Sequence, residues 1–124
     1  MSLLLDTHAF LWWLNGGPMQ PAAMERISDP RVLVAVSAVS VWEIGIKRAI
    51  GKLRFDGSLA SAVGQGGFDS LAVSAEHAER AGDLPRHHRD PFDRMLVAQA
   101  QVENLTIVSR DEQFAAYDVS VLPC

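Results

Sequence analysis

The sequence predicts an α/β fold: a five-stranded parallel sheet flanked by helices on both faces. Two observations carry that prediction. Five short runs, Leu3–Leu5, Val32–Val36, Leu71–Val73, Leu105–Val108 and Val119–Leu122, are apolar except at Thr106 and Ser120 and rich in Val, Leu and Ile. Runs of that kind, without polar alternation, are how strands buried on both faces read. Longer segments with helical spacing separate them, and strand–helix–strand alternation implies right-handed crossovers over a parallel sheet.

Taken in chain order, the first strand leads into a helix over His8–Asn15, closed by the breaker cluster Gly16-Gly17-Pro18. Pro21 opens a second helix, Ala22–Ile27, from a tolerated first-turn position. After the second strand, Val41–Ile50 carries Trp42, Ile46, Ala49 and Ile50 on one stripe, the expected buried face. A helix over Ser58–Val63 ends at Gly64, Gly66 and Gly67, and another spans Ala75–Ala81 beyond the third strand. The clearest helix is Pro91–Glu103, with Phe92, Met95, Leu96 and Val102 at helical spacing. Gln99 interrupts its stripe and is expected to be a half-buried, hydrogen-bonded amide. A short helix over Glu112–Tyr117 precedes the last strand. No repeat, low-complexity tract or linker divides the chain, so residues 1–124 read as one domain.

Charge and composition narrow the function. The formal net charge of −4 argues against a broad nucleic-acid clamp, which is ordinarily basic. It leaves room for a narrow site in which bound cations supply positive charge locally. A lone Cys124 suits a reducing compartment. No apolar run reaches the ~18 residues of a membrane span, and Met1–Phe10 lacks the basic start of a signal peptide. The expectation is a cytoplasmic protein with no membrane contact.

Four acids fall where an α/β sheet binds ligands, outside the carboxyl ends of its strands near the reversal of strand order. Asp6 follows the first strand and Asp111 the fourth. Glu43 lies at the start of the helix leaving the second strand. Asp93 opens a helix antiparallel to the strand it precedes, which returns it to the same edge. Converging carboxylates repel one another, and a hard divalent cation is the ordinary remedy. Each acid alone also reads as a helix-terminal device. Ser40-Val41-Trp42-Glu43 has the form of a capping box, Asp90 and Asp93 flank Pro91 similarly, and Asp6 and Asp111 each precede a helix.

Four segments carry a family resemblance. Leu4-Leu5-Asp6-Thr7-His8-Ala9-Phe10-Leu11-Trp12, Val36 to Lys47 around Ser40-Val41-Trp42-Glu43, His88 to Ala100 around Asp90-Pro91-Phe92-Asp93 and Ile107-Val108-Ser109-Arg110-Asp111 occur in order across nearly the whole chain. Together they resemble the PIN domains of the VapC-like group, the ribonuclease toxins of type II (VapBC) toxin–antitoxin systems. The resemblance implies a divalent-metal-dependent endoribonuclease holding Mg²⁺ or Mn²⁺, with Asp6, Glu43, Asp93 and Asp111 as catalytic, metal-site acids. Asp6 is the first choice for a direct ligand and Asp111 the last. Thr7 and Ser109 are placed to orient carboxylates or waters. The same resemblance implies an RNA substrate, a small VapB-like antitoxin partner and a homodimer.

Other residues bear on this reading. Arg86, Arg89 and Arg94 form a basic patch beside Asp93 suited to RNA phosphates, or else a solvated loop. Lys47 extends that face or pairs with Glu43 four residues earlier. The adjacent pair His87-His88 lacks the further ligands of a zinc site. Phe10, Leu11, Trp12, Trp13 and Leu14 make a helix apolar almost all round, so one tryptophan is expected against a partner chain. A phosphoacceptor receiver would need an acid pair after the first strand, a dehalogenase-like phosphatase Asp-x-Asp, and a dinucleotide fold G-x-G-x-x-G; none is present. The rival functions are a non-catalytic PIN-fold module binding RNA or protein, and a nuclease acting on DNA.

Overall fold

The computed structural model describes all of residues 1–124. Its strands are β1 (Ser2–Leu5), β2 (Leu33–Ser37), β3 (Asp69–Leu71), β4 (Thr106–Ser109) and β5 (Val121–Pro123). Its helices are α1 (Thr7–Asn15), α2 (Pro21–Ser28), α3 (Ala38–Ala49), α4 (Leu59–Gln65), α5 (Ala75–Asp83) and α6 (Pro91–Glu103), with a 3₁₀ helix at Glu112–Ala116. All strand pairings are parallel and the order is β3-β2-β1-β4-β5, so the predicted sheet is present. Strand order reverses between β1 and β4.

Leu3, Leu4 and Leu5 are fully buried because both faces of the sheet are covered. On one side Leu3, Leu5, Val34 and Val36 pack with Phe10, Ile27, Val63 and Phe68. On the other, Leu4, Ala35 and Ile107 meet Leu96, Val97, Ala100 and Phe114. No helix is long and apolar enough to cross a membrane.

Register prepares the site. Leu5 pairs with both Val36 and Val108, so the next residues, Asp6, Ser37 and Ser109, stand level at the carboxyl edge. The Asp6 amide continues the ladder by donating to Val108 O at 3.1 Å.

Four expectations need correction. The third strand is Asp69–Leu71 rather than Leu71–Val73. As an edge strand it pairs only with β2, and its exposed Asp69 and Ser70 carry no apolar signal. Helix α3 begins at Ala38, three residues early, because Ser37 ends β2 and caps the helix at once, accepting from Val39 N at 3.1 Å. Its buried residues are Val39, Ser40, Glu43 and Ile44, whereas Trp42 (62% exposed), Ile46 and Ile50 (61%) face solvent. The stripe read as the core face is therefore the outer one. Gln99 is fully buried rather than half-buried; its Nε2 donates to Ala72 O at 3.2 Å while Oε1 has no partner.

Candidate metal centre

Asp6 is the N-cap of α1. Its Oδ1 accepts from Ala9 N at 2.7 Å, and its Oδ2 accepts from Ser109 Oγ at 2.6 Å. Ser109 Oγ also accepts from Asp111 N at 2.9 Å, which ties the loop after β4 to the end of β1. Burial raises the Asp6 pKa above the ordinary carboxylate value, against the lowering effect of these hydrogen bonds.

Asp93 reaches the same edge from the first turn of α6. Asp90 is the N-cap there, its Oδ1 accepting from Phe92 N at 2.8 Å and Asp93 N at 3.4 Å, with Pro91 at the first helical position. With the capping role filled, the Asp93 side chain turns to His88, Oδ2 lying 2.9 Å from Nε2. Burial, then the charge of Asp90, pushes the Asp93 pKa up to about 7; Glu43 and Asp6 add to this and His88 opposes it.

Asp111 caps the 3₁₀ helix through Oδ1, which accepts from Gln113 N at 2.8 Å. Its Oδ2 is 3.2 Å from His88 Nε2. His88, Asp93 and Asp111 thus present ligand atoms that all lie within 4.8 Å of one another. His88 is the site residue that the sequence reading missed. The sequence offers it as part of the basic stretch Arg86-His87-His88-Arg89 and of a histidine pair that lacks a zinc set; its place two residues before the α6 cap is the signal for a site role.

Glu43 stands apart. It lies in the second turn of α3, so the Ser40–Glu43 capping box does not form. Its Oε1 accepts from Thr7 Oγ1 at 2.6 Å, and its Oε2 is 2.8 Å from Lys47 Nζ. Thr7 Oγ1 also shares a 3.1 Å hydrogen bond with Ser40 Oγ. Of the two readings of Lys47, the pairing with Glu43 is the one present, so the amine is not held free for a phosphate.

The basic patch divides in two. Arg94 donates to Ala81 O (2.9 Å), Leu84 O (3.0 Å) and Pro85 O (2.9 Å), clamping the end of α5. Arg86 and Arg89 are exposed and enter none of the ion pairs. They line an open cavity of about 700 Å³ with Gly82, His88, Pro91 and Arg94.

Trp12 and Trp13 are both half-buried. Arg110 stacks on Trp12 at 3.8 Å and Phe68 meets Trp13 edge-on. The exposed tryptophan is Trp42, which touches Phe92.

A parallel α/β sheet with carboxylates gathered at its strand-order reversal defines a class: domains whose ligand site is acidic and suited to a hard cation. The model of one family, the PIN domain, matches residues 3–120, and the chain belongs to that family. No curated protein sequence matches it. Among solved structures, a chain of VapBC2 from Rickettsia felis, bound to a promoter DNA fragment, is similar with TM-score 0.76 and 16% identity, covering 100% of this chain and 99% of that one. DNA-bound VapBC from Salmonella typhimurium gives 0.71 at 18%, covering 99% and 98%. VapBC-1 from nontypeable Haemophilus influenzae gives 0.68 at 16%, again covering 99% and 98%.

Proposed function

We propose that this chain is a divalent-metal-dependent endoribonuclease and the toxin of a toxin–antitoxin pair. The observation that supports the nuclease reading is the approach of Asp93 and Asp111 at the carboxyl edge of the sheet, with Ser109 bonded to both Asp111 and Asp6. The donor set is mainly carboxylate oxygen and fits Mg²⁺ or Mn²⁺. Such an ion supplies a nucleophilic water at neutral pH and positive charge for the phosphoryl oxygens. Asp6 and Asp93 are its principal holders, with Asp111 and Glu43 completing the acidic surround. Ser109 and Thr7 fix the Asp6 and Glu43 carboxylates by the hydrogen bonds they donate. Arg86 and Arg89 hold RNA phosphates beside the site; Lys47 and Arg94 are committed elsewhere.

The toxin reading rests on the VapBC complexes among the structural neighbours. The partner is a small VapB-like antitoxin whose tail brings an arginine to the acids, since its fork pairs two carboxylate oxygens where a cation otherwise sits. The exposed stripe Trp42–Ile46–Ile50 gives an apolar anchor for association, with that partner or as a homodimer. The action is cytoplasmic.

The test is cleavage of RNA by the purified chain with Mg²⁺, its arrest by chelator, and its loss in Asp6→Asn. Cleavage of DNA alone would replace the substrate. Partner-free protein that binds RNA without cutting it would replace the function.

A further inference from the structure

One nitrogen fills the gap between the carboxylates of Asp93 and Asp111. His88 Nε2 is 2.9 Å from Asp93 Oδ2 and 3.2 Å from Asp111 Oδ2. An ion held by both carboxylates would have to compete with the imidazole edge for that space.

The ring is held there by its surroundings. Its Nδ1 accepts from Asp90 N at 3.2 Å, and its backbone N–H donates to Tyr117 Oη at 2.9 Å. Tyr117 is buried and donates in turn to Pro85 O at 2.9 Å. Because Nδ1 accepts, the hydrogen-bond network assigns the ring proton to Nε2, the atom facing the carboxylates. A nitrogen carrying that proton has no lone pair in the ring plane for a metal. Asp111 is fixed as well: its other oxygen caps the 3₁₀ helix and its amide donates to Ser109 Oγ.

We propose that His88 takes the place of a second cation. Its Nε2–H cross-links Asp93 to Asp111 and leaves a single divalent site on the Asp6 side of Asp93. The inference rests on the metal-dependent reading above and fixes its metal count. A two-metal centre needs ions about 3.5–4 Å apart sharing carboxylates, and the imidazole removes one of those positions. His88 is on this account a positioning residue, neither a ligand nor a group that meets the substrate.

The experiment counts Mn²⁺ bound to the purified chain, by titration calorimetry and by the electron paramagnetic resonance of free Mn²⁺, without substrate. The wild type should bind one ion. His88→Ala should bind two, with the pair magnetically coupled, and should bind the first at least as tightly. His88→Gln, whose amide keeps an N–H donor within reach, should return the count to one; a merely structural role would not separate these variants when both melt like the wild type. Nitrogen modulation of the bound Mn²⁺ signal from the imidazole should be absent. Two ions on the wild type, or nitrogen coupling with weaker first-ion binding in His88→Ala, overturns the inference and leaves the metal-dependent reading intact. A wild type that binds no Mn²⁺ takes down both.

Discussion

A carboxylate has two oxygens, and the acids at this site divide them between backbone and pocket. Asp6 and Asp111 each cap a helix with Oδ1 and turn Oδ2 to the site, while Asp90 caps α6 and spares Asp93. Capping and metal holding, which the sequence presents as alternatives for each acid, are here two uses of one side chain. Asparagine caps as well as aspartate but lacks the charge. Asp6→Asn and Asp93→Asn should therefore fold normally and lose divalent-dependent RNA cleavage, as an assay with fluorescent RNA would show. Asp6→Asn should also raise the melting temperature of the metal-free protein, because a buried carboxylate with acidic neighbours has been neutralised; a fall would mean that the charge itself supports α1. Ser109→Ala removes the hydroxyl that donates to Asp6 and accepts from Asp111, and should weaken Mn²⁺ binding by about 10–100-fold, measured calorimetrically.

Helices α6 and α3 position the acids in different ways. Helix α6 has the bounds its sequence predicts, because Asp90-Pro91 is a strong start signal and Asn104, at φ 55°, ends it in the left-handed region. Asp90→Ala should cost ~1 kcal/mol in denaturant unfolding whether or not metal is present, and Asp90→Asn little, since only the alanine removes the cap. Helix α3 misled because its apolar stripe faces outward while Ser40 and Glu43 face inward, reversing the usual amphipathic rule. An inward acid is stable there because Thr7 and Lys47 take one oxygen each. Trp42→Gln should then change stability by roughly 0.5 kcal/mol or less, as expected of a surface site. The same change should weaken binding to a co-purifying protein partner by tenfold or more in a pull-down titration; unchanged affinity would remove α3 from the interface.

Across the whole molecule, the gathered acids make stability depend on pH. Asp6 and Asp93 hold a proton more tightly in the folded state than at the ordinary value of 3.8, Asp93 up to about 7. Groups raised in this way contribute stability that is complete below the unfolded pKa and is lost as pH rises through the folded one. The metal-free protein, kept in chelator, should therefore melt at lower temperature as pH climbs from about 4 to about 7. Asp29, which the exposed Arg31 beside it holds below 3.8, has the opposite sign but acts at more acid pH. Asp93→Asn should flatten the slope between 4 and 7. Added Mg²⁺ should reverse it, because an ion bound only by the folded chain stabilises most where the carboxylates are charged. A melting curve that rises over that interval without metal would contradict the clustering.

Composition and spacing alone specify the central strands and the edge at which the acids lie. Continuous apolar runs such as Leu3–Leu5 and Val32–Val36 admit little but buried parallel strands, and an acid one residue past a strand end has one place to go. The caps at Asp6, Asp90 and Asp111 were equally legible, since a cap is a contact within a few residues. Three features depend on contacts between residues far apart in the chain. The direction in which α3 turns depends on Thr7, thirty-six residues from Glu43. The engagement of Arg94 depends on the carbonyl groups at the end of α5. The entry of His88 between Asp93 and Asp111 depends on the loop before α6 meeting the loop after β4. Local spacing fixes what an element is, but the partner of a polar side chain is set by whichever distant group the packed sheet and helices bring within 3 Å.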